Sequence, residues 1–248
     1  MKKPLAEEEK KLWYSKFYDL PLEGILEEDR EALDHMMDPS EAIPITRVLD
    51  FLKVKDEKET VENGYCIAPD GHSYVTCTAY YPDFTVDMLT WWFSFIERRP
   101  AGLAPSLGNV RYKIWCPPDH WDHRYVNGVD DADGSIMVES LDLGAGGPVF
   151  RSLTRSVPLS MTGLSVQELD AYARRLTILQ LTHEHSEDVV DRIFTAMMQP
   201  HPEAGVVLMS RVWWGYKYQD GQFLRDDDPA KLPCTEQILR NNLLHSSY

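Results

Sequence analysis

Ser165-Val-Gln-Glu168 opens the stretch on which the fold reading turns, Gln199-Pro200 closes it, and His183-Glu-His-Ser-Glu187 stands in its middle. Ser165 followed three residues later by Glu168 is a capping-box start, and Pro200 cannot continue a helix. The sequence therefore predicts one amphipathic helix running to Met198. At 100° per residue, with His183 as origin, Leu169, Tyr172, Leu176, Leu179, Glu187, Val190, Phe194 and Met197 fall within roughly 40° of it. His183 and Glu187, four residues apart, then lie one turn apart on the apolar stripe, with His185 on the opposite face. A carboxylate there must be protonated, paired or bound to a metal. The pair reads either as half of a metal site inside a cavity or as a core His with its hydrogen-bonding Glu.

Composition narrows the classes. The 248 residues are enough for one large domain or a domain with an appendage. A formal charge of −15 argues against nucleic acid and anionic membranes, which need a basic footprint. No run approaches the ~18 apolar residues of a membrane span. The first ten residues lack a signal peptide's apolar centre. Cys66, Cys77, Cys116 and Cys234 stand far apart and read as reduced thiols, so a cytoplasmic location is expected. No GxGxxG, P-loop or GxSxG occurs.

Residues 1–60 are charged and helical in pattern, with Trp13, Phe17 and Tyr18 among their aromatics and a charge run at Lys53–Thr60. From 61 the pattern turns to strands. Pro69-Asp-Gly71 makes a hairpin of residues 65–68 and 73–79. Thr85 caps an aromatic helix reaching Glu97, and Val110–Trp115 alternates as a strand. Further strands are expected at 135–141, around a turn at Gly144–Gly147, at 148–157 and at 205–215, with irregular or helical residues to the end. An antiparallel sheet with one long helix across it is an α+β domain enclosing a cavity. A helix of about 33 residues spans some 50 Å at 1.5 Å per residue, enough to cross it.

Other residues can complete a metal site. His120 and His123 follow the Val110–Trp115 segment, and Glu139 is the lone acid within Ile136–Leu141. Histidines with carboxylates suit Zn²⁺, with Fe²⁺ or Mn²⁺ as alternatives. The bland alternative makes the histidines loop residues and turns Glu139 to solvent.

Four blocks carry a resemblance. Gly64-Tyr-Cys, Pro69-Asp-Gly, Tyr81-Pro-Asp-Phe-Thr-Val-Asp-Met-Leu-Thr-Trp-Trp-Phe93 and Arg111-Tyr-Lys-Ile-Trp-Cys-Pro-Pro-Asp-His120 resemble the diacetylphloroglucinol hydrolase and phloretin hydrolase family. The resemblance is close over 64–123 and looser over 135–215. It implies a Bet v 1-like (START-like) helix-grip domain over 61–248 behind a small helical region, 1–60, and a homodimer built largely through that region. It implies one zinc ion held by His120, Glu139, His183 and Glu187. Tyr112 matches a substrate-contacting tyrosine of the family, and His123 stands where an amide is expected. Ser94-Phe-Ile departs from the family's Trp-His.

The expected activity is zinc-dependent hydrolysis of the carbon–carbon bond between a phenolic ring and an acyl group of a small aromatic or polyketide substrate. Tyr112 and His123 would contact phenol oxygens or move a proton, and Trp91, Trp92, Trp115 and Trp121 would supply an aromatic wall. The rivals are a non-hydrolytic lyase, isomerase or cyclase using the same cavity, and a hydrophobic-ligand carrier without turnover.

Overall fold

Pro69-Asp-Gly71 turns the chain sharply, with Gly71 at φ +87°, and joins Gly64–Ile67 (β1) to Ser73–Tyr81 (β2) in the expected hairpin. In this computed structural model, residues 2–22, 27–48, 62–140, 149–157, 165–168, 178–201 and 203–246 are described. The expected linker at 53–60 and the turn at Gly144–Gly147 lie outside them. Six further strands join β1 and β2 in one sheet: His120–Tyr125 (β3), Ser135–Ser140 (β4), Val149–Ser156 (β5), Ile178–Ser186 (β6), Arg192–Pro200 (β7) and Val206–Trp214 (β8). Their order is β1-β2-β8-β7-β6-β5-β4-β3, antiparallel throughout. Tyr216–Gln219 (β9) and Gln222–Arg225 (β10) form a separate hairpin.

The α+β class stands, but the long helix does not. The capping box forms: Ser165 N donates to Glu168 Oε2 (2.7 Å) and Glu168 N to Ser165 Oγ (3.2 Å), with residues 166–168 helical. Leu169, Tyr172 and Leu176 lie outside the described residues. From Ile178 the chain is strand, and β6 and β7 form an antiparallel pair with Glu184 opposite Arg192. Thr182, Ile193 and Thr195 are β-branched, stiff at χ1 and suited to a half-buried pleat, and tertiary pairing overrides the helical periodicity.

The register sorts the side chains of this region onto two faces. Ile193, Trp213 and Tyr74 share one face with His183, and they pack with Ile45 and Val48. Arg192, Trp214 and Ser73 share the other face with Glu184. A C-terminal helix, Glu236–Ser246, packs against β1 and β2 on that second face. Its Leu239 and Leu243 are fully buried among Tyr65, Val75, Val212 and Trp214, and Leu33 of Glu27–Asp34 joins them. No helix among the described residues is long and apolar enough to cross a membrane.

The connection between β6 and β7 is locked by Asp191. Its carboxylate accepts from His183 Nε2 (2.8 Å), His185 Nδ1 (3.0 Å), Ser186 N (3.3 Å) and Lys231 Nζ, while its backbone oxygen accepts from Gly215 N (2.8 Å). Burial alone would raise the Asp191 pKa, but the hydrogen bonds from His183, Lys231 and His185 outweigh it and hold the carboxyl below the usual range. Its stabilisation is therefore complete above the unfolded Asp pKa near ~3.9 and is lost as pH falls through the lower folded value. Asp191→Asn is expected to be less stable at neutral pH, with a shallower loss of stability on acidification. Denaturant unfolding of both proteins from neutral to acid pH checks this, and parallel curves would contradict it.

Candidate metal centre

Asn109 begins the site. It is fully buried; its Oδ1 accepts from Arg111 N (3.1 Å), and its Nδ2 donates to the carbonyls of Ile96 (2.7 Å) and His123 (2.9 Å). One amide thus clamps three elements: the aromatic helix Val86–Ile96, capped by Thr85 as expected, the helix Val110–Trp115 that it caps, and β3. Val110–Trp115 was expected as a strand and is a short helix, because an Asn N-cap initiates a turn that the alternation of six residues cannot oppose.

The turn Cys116-Pro-Pro-Asp-His120 then feeds β3. His120 pairs with Glu139 and His123 with Met137, with a register shift between His120 and Asp122. The extra residue at this β-bulge lets two histidines three apart face the same side of the sheet. Gly108, at φ +74°, lies against the bulge, where a Cβ would sit 2.3 Å from the Trp121 carbonyl oxygen.

His120, Glu139 and His245 converge, each offering a ligand atom within 4.8 Å of the others. His120 Nδ1 donates to the Tyr112 carbonyl (3.1 Å), and its Nε2 meets His245 Nε2 at 3.2 Å. The Tyr112 ring stacks on the His120 ring at 3.8 Å, and Trp115 meets it edge-on at 4.8 Å. Burial, then the neighbouring His245, holds His120 well below the usual imidazole pKa, so it is a neutral donor. Glu139 accepts from Tyr112 Oη (2.9 Å) on one oxygen and from Arg192 Nη2 (2.6 Å) on the other. Burial pushes this carboxyl up, but Arg192, His245 and His120 outweigh it and leave its pKa at about 2. His245 is driven down by burial but is raised to about 10 by its hydrogen bonds to Asp119 and Cys116. Two imidazole nitrogens and an ionised carboxylate, His120 and Glu139 buried and His245 half-buried, form a donor set that fits a divalent ion of the zinc type.

His183 and Glu187, expected in this group, do not reach it. Strand alternation puts His183 on the opposite face from Glu184, and its ring is engaged by Asp191. Glu187 is exposed in the bend after β6. Glu184 and Arg192 occupy the site's face instead: Arg192 Nε donates to Glu184, and its guanidinium lies 4.8 Å from the Trp214 ring centre. On the His183 side, an open cavity of about 530 Å³ is walled by charges that satisfy one another, Lys231 with Asp191 and Asp226, Arg225 with Asp227.

Other expected residues divide. His123 is buried, its Nδ1 donates to the Glu97 carbonyl (3.3 Å), and its ring centre is 5.4 Å from that of Tyr112. Burial lowers its pKa. Trp115 lies against the ring contacts of the site. Trp91 and Trp92 stack on Phe95, and the Trp121 ring lies under Lys3 Nζ at 3.5 Å, so their ring contacts run elsewhere. His245 and Arg192 were not expected.

The chain is thus an α+β protein whose antiparallel sheet and Glu236–Ser246 helix bring together a His–His–carboxylate group of metal-ligand type. The chain belongs to the family described as the DAPG hydrolase PhiG domain, whose model it matches over residues 44–248. It is also 37% identical, over 119 residues, to the phloretin hydrolase of Eubacterium ramulus. That similarity covers 47% of this chain and 40% of the relative's length.

Proposed function

We propose that this protein is a metal-dependent hydrolase that cleaves the bond between a phenolic ring and an acyl carbon, with zinc as its ion. The observation that carries the proposal is the convergent His120–Glu139–His245 group in a member of this family. The similarity to a phloretin hydrolase supports an acylated phenol as substrate. When bound, such an ion supplies Lewis acidity toward the ketone and phenol oxygens. Tyr112 is held well above the usual tyrosine pKa by burial and by Glu139, so it stays protonated and acts as a hydrogen-bond donor. His123 is neutral, and with Nδ1 on the Glu97 carbonyl its Nε2 is free of a proton; it takes a proton from a phenol or water and returns it to the ring carbon. Trp115 excludes water beside the site. The test is incubation of zinc-loaded protein with phloretin: release of the free phenol and the carboxylic acid supports the proposal, and unchanged phloretin refutes it.

His123→Asn is expected to keep near-normal metal content while turnover drops on the order of 10²–10⁴-fold, the usual contribution of a general acid–base group. Elemental analysis beside rate measurement decides; loss of metal would make His123 a ligand instead.

The proposal extends to a Bet v 1-like arrangement, supported by the eight-stranded antiparallel sheet with the Glu236–Ser246 helix on one face. Fast amide exchange throughout Glu236–Ser246, showing the helix undocked from the sheet, would remove it. A homodimer through residues 1–60 is also proposed, since Trp13 is 69% exposed and Phe17 and Leu20 are exposed beside it. Sedimentation should give a dimer at micromolar concentration; a monomer would count against this surface.

A further inference from the structure

Asp119 has no accessible surface, and a buried carboxylate is costly unless paired and hydrogen-bonded. Its ion-pair partner among the described residues is His245, whose Nδ1 lies 3.2 Å from Asp119 Oδ2. The carboxylate is fixed independently of that contact. Ser140 Oγ donates to Oδ1 (3.2 Å), Ser140 N donates to the Asp119 carbonyl (2.9 Å), and Asp119 N donates to the Cys116 carbonyl (3.0 Å). The same turn that delivers His120 to the site therefore holds a rigid, charged acceptor against the ring that arrives from the C-terminal helix.

We propose that Asp119 is a positioning residue for the metal: it fixes the orientation and tautomer of His245 so that Nε2 faces His120 and Glu139. The proposal rests on the metal-binding reading above. An imidazole whose Nδ1–H is held by a carboxylate presents a bare, more basic Nε2 once a metal displaces the proton there, and it cannot flip. Each member of the group has its own brace. His120 is held by the Tyr112 carbonyl and Glu139 by Arg192, but only His245 is held by an anion. It is also the one ligand delivered by a separate helix rather than by the β3–β4 pair, and so the one whose aim depends most on an outside contact.

The test is the zinc affinity of Asp119→Asn, measured by competition with a chromophoric chelator and read beside the thermal midpoints of the metal-free and zinc-loaded proteins. Positioning predicts an affinity loss on the order of 10–100-fold, typical for an outer partner of a ligating His, and a smaller zinc-induced rise in midpoint. A role confined to fastening the helix would lower both midpoints together and leave the affinity unchanged, which overturns the proposal. If Asp119→Asn does not fold, Ser140→Ala, which frees the carboxylate on its other side, decides by the same measurement. Weaker zinc binding at a native midpoint supports the proposal, and unchanged binding overturns it. A wild-type protein that takes up no zinc removes the metal reading itself, an outcome distinct from wild-type binding that survives Asp119→Asn.

Discussion

Replacing His245 by Ala is expected, under the proposed function, to abolish zinc binding and to bring cleavage of an acylated phenol to background. The group has three ligand atoms, and this change deletes one nitrogen without touching the sheet that carries the other two. The loss should exceed the about 10–100-fold typical of outer partners, because a direct donor disappears. Glu139→Gln is expected to behave the same way. His183→Ala and Glu187→Ala should keep full metal content, since both residues stand off the site. Elemental analysis of the four purified variants checks the set. Metal retained in His245→Ala, or lost in His183→Ala, would overturn the ligand assignment.

Arg192→Met is expected to cost about 3–5 kcal/mol of stability, the usual range for breaking a buried ion pair from one side. Arg192 is buried between Glu139 and Glu184, and its removal leaves two carboxylates with no cation between them. The contact with the Trp214 ring goes too. Because the penalty comes from uncompensated charge, Arg192→Met combined with Glu184→Gln should recover part of it. Zinc should also stabilise Arg192→Met more than wild type, because the ion then meets a Glu139 whose charge no longer pairs with a guanidinium. Denaturant unfolding at neutral pH measures all of these. A single variant within about 1 kcal/mol of wild type would show that the guanidinium is not the brace of this face.

The sequence was legible where short-range chemistry decides the outcome. Pro69-Asp-Gly71 and the Thr85 cap each specify their structure within four residues, and both appear as expected. His120 and Glu139 were legible as candidate ligands, a His just past the Val110–Trp115 segment and a lone acid in an apolar run, and the β3–β4 register pairs them. The 178–198 region misled because two strands whose apolar residues recur every second position also satisfy a 3.6-residue period over a limited span. Their connection, Glu187-Asp-Val-Val-Asp191, contains no Gly, Pro or Asn to announce a turn. The turning signal sits instead in side chains: Ser186 Oγ accepts from Asp188 N (3.1 Å), and Asp191 gathers the hydrogen bonds of the bend. Residues four apart would still share a face of a strand, but β6 ends at Ser186 and leaves Glu187 in the bend, so the His183–Glu187 pair dissolves, and alternation gives Glu184 the inward place. His245 was hidden for another reason: its partners are more than a hundred residues away, and no local pattern carries that information.

That separation sets a schedule for the protein's manufacture. His120 and His245 are 125 residues apart in the chain. At about 5–20 residues per second of synthesis, roughly 6–25 s pass between the appearance of the first and the last donor. For most of that interval the nascent chain carries His120 and Glu139 without the third residue of the group. Under the metal-binding proposal, the full set of three donors is complete only once the Glu236–Ser246 helix has joined the sheet.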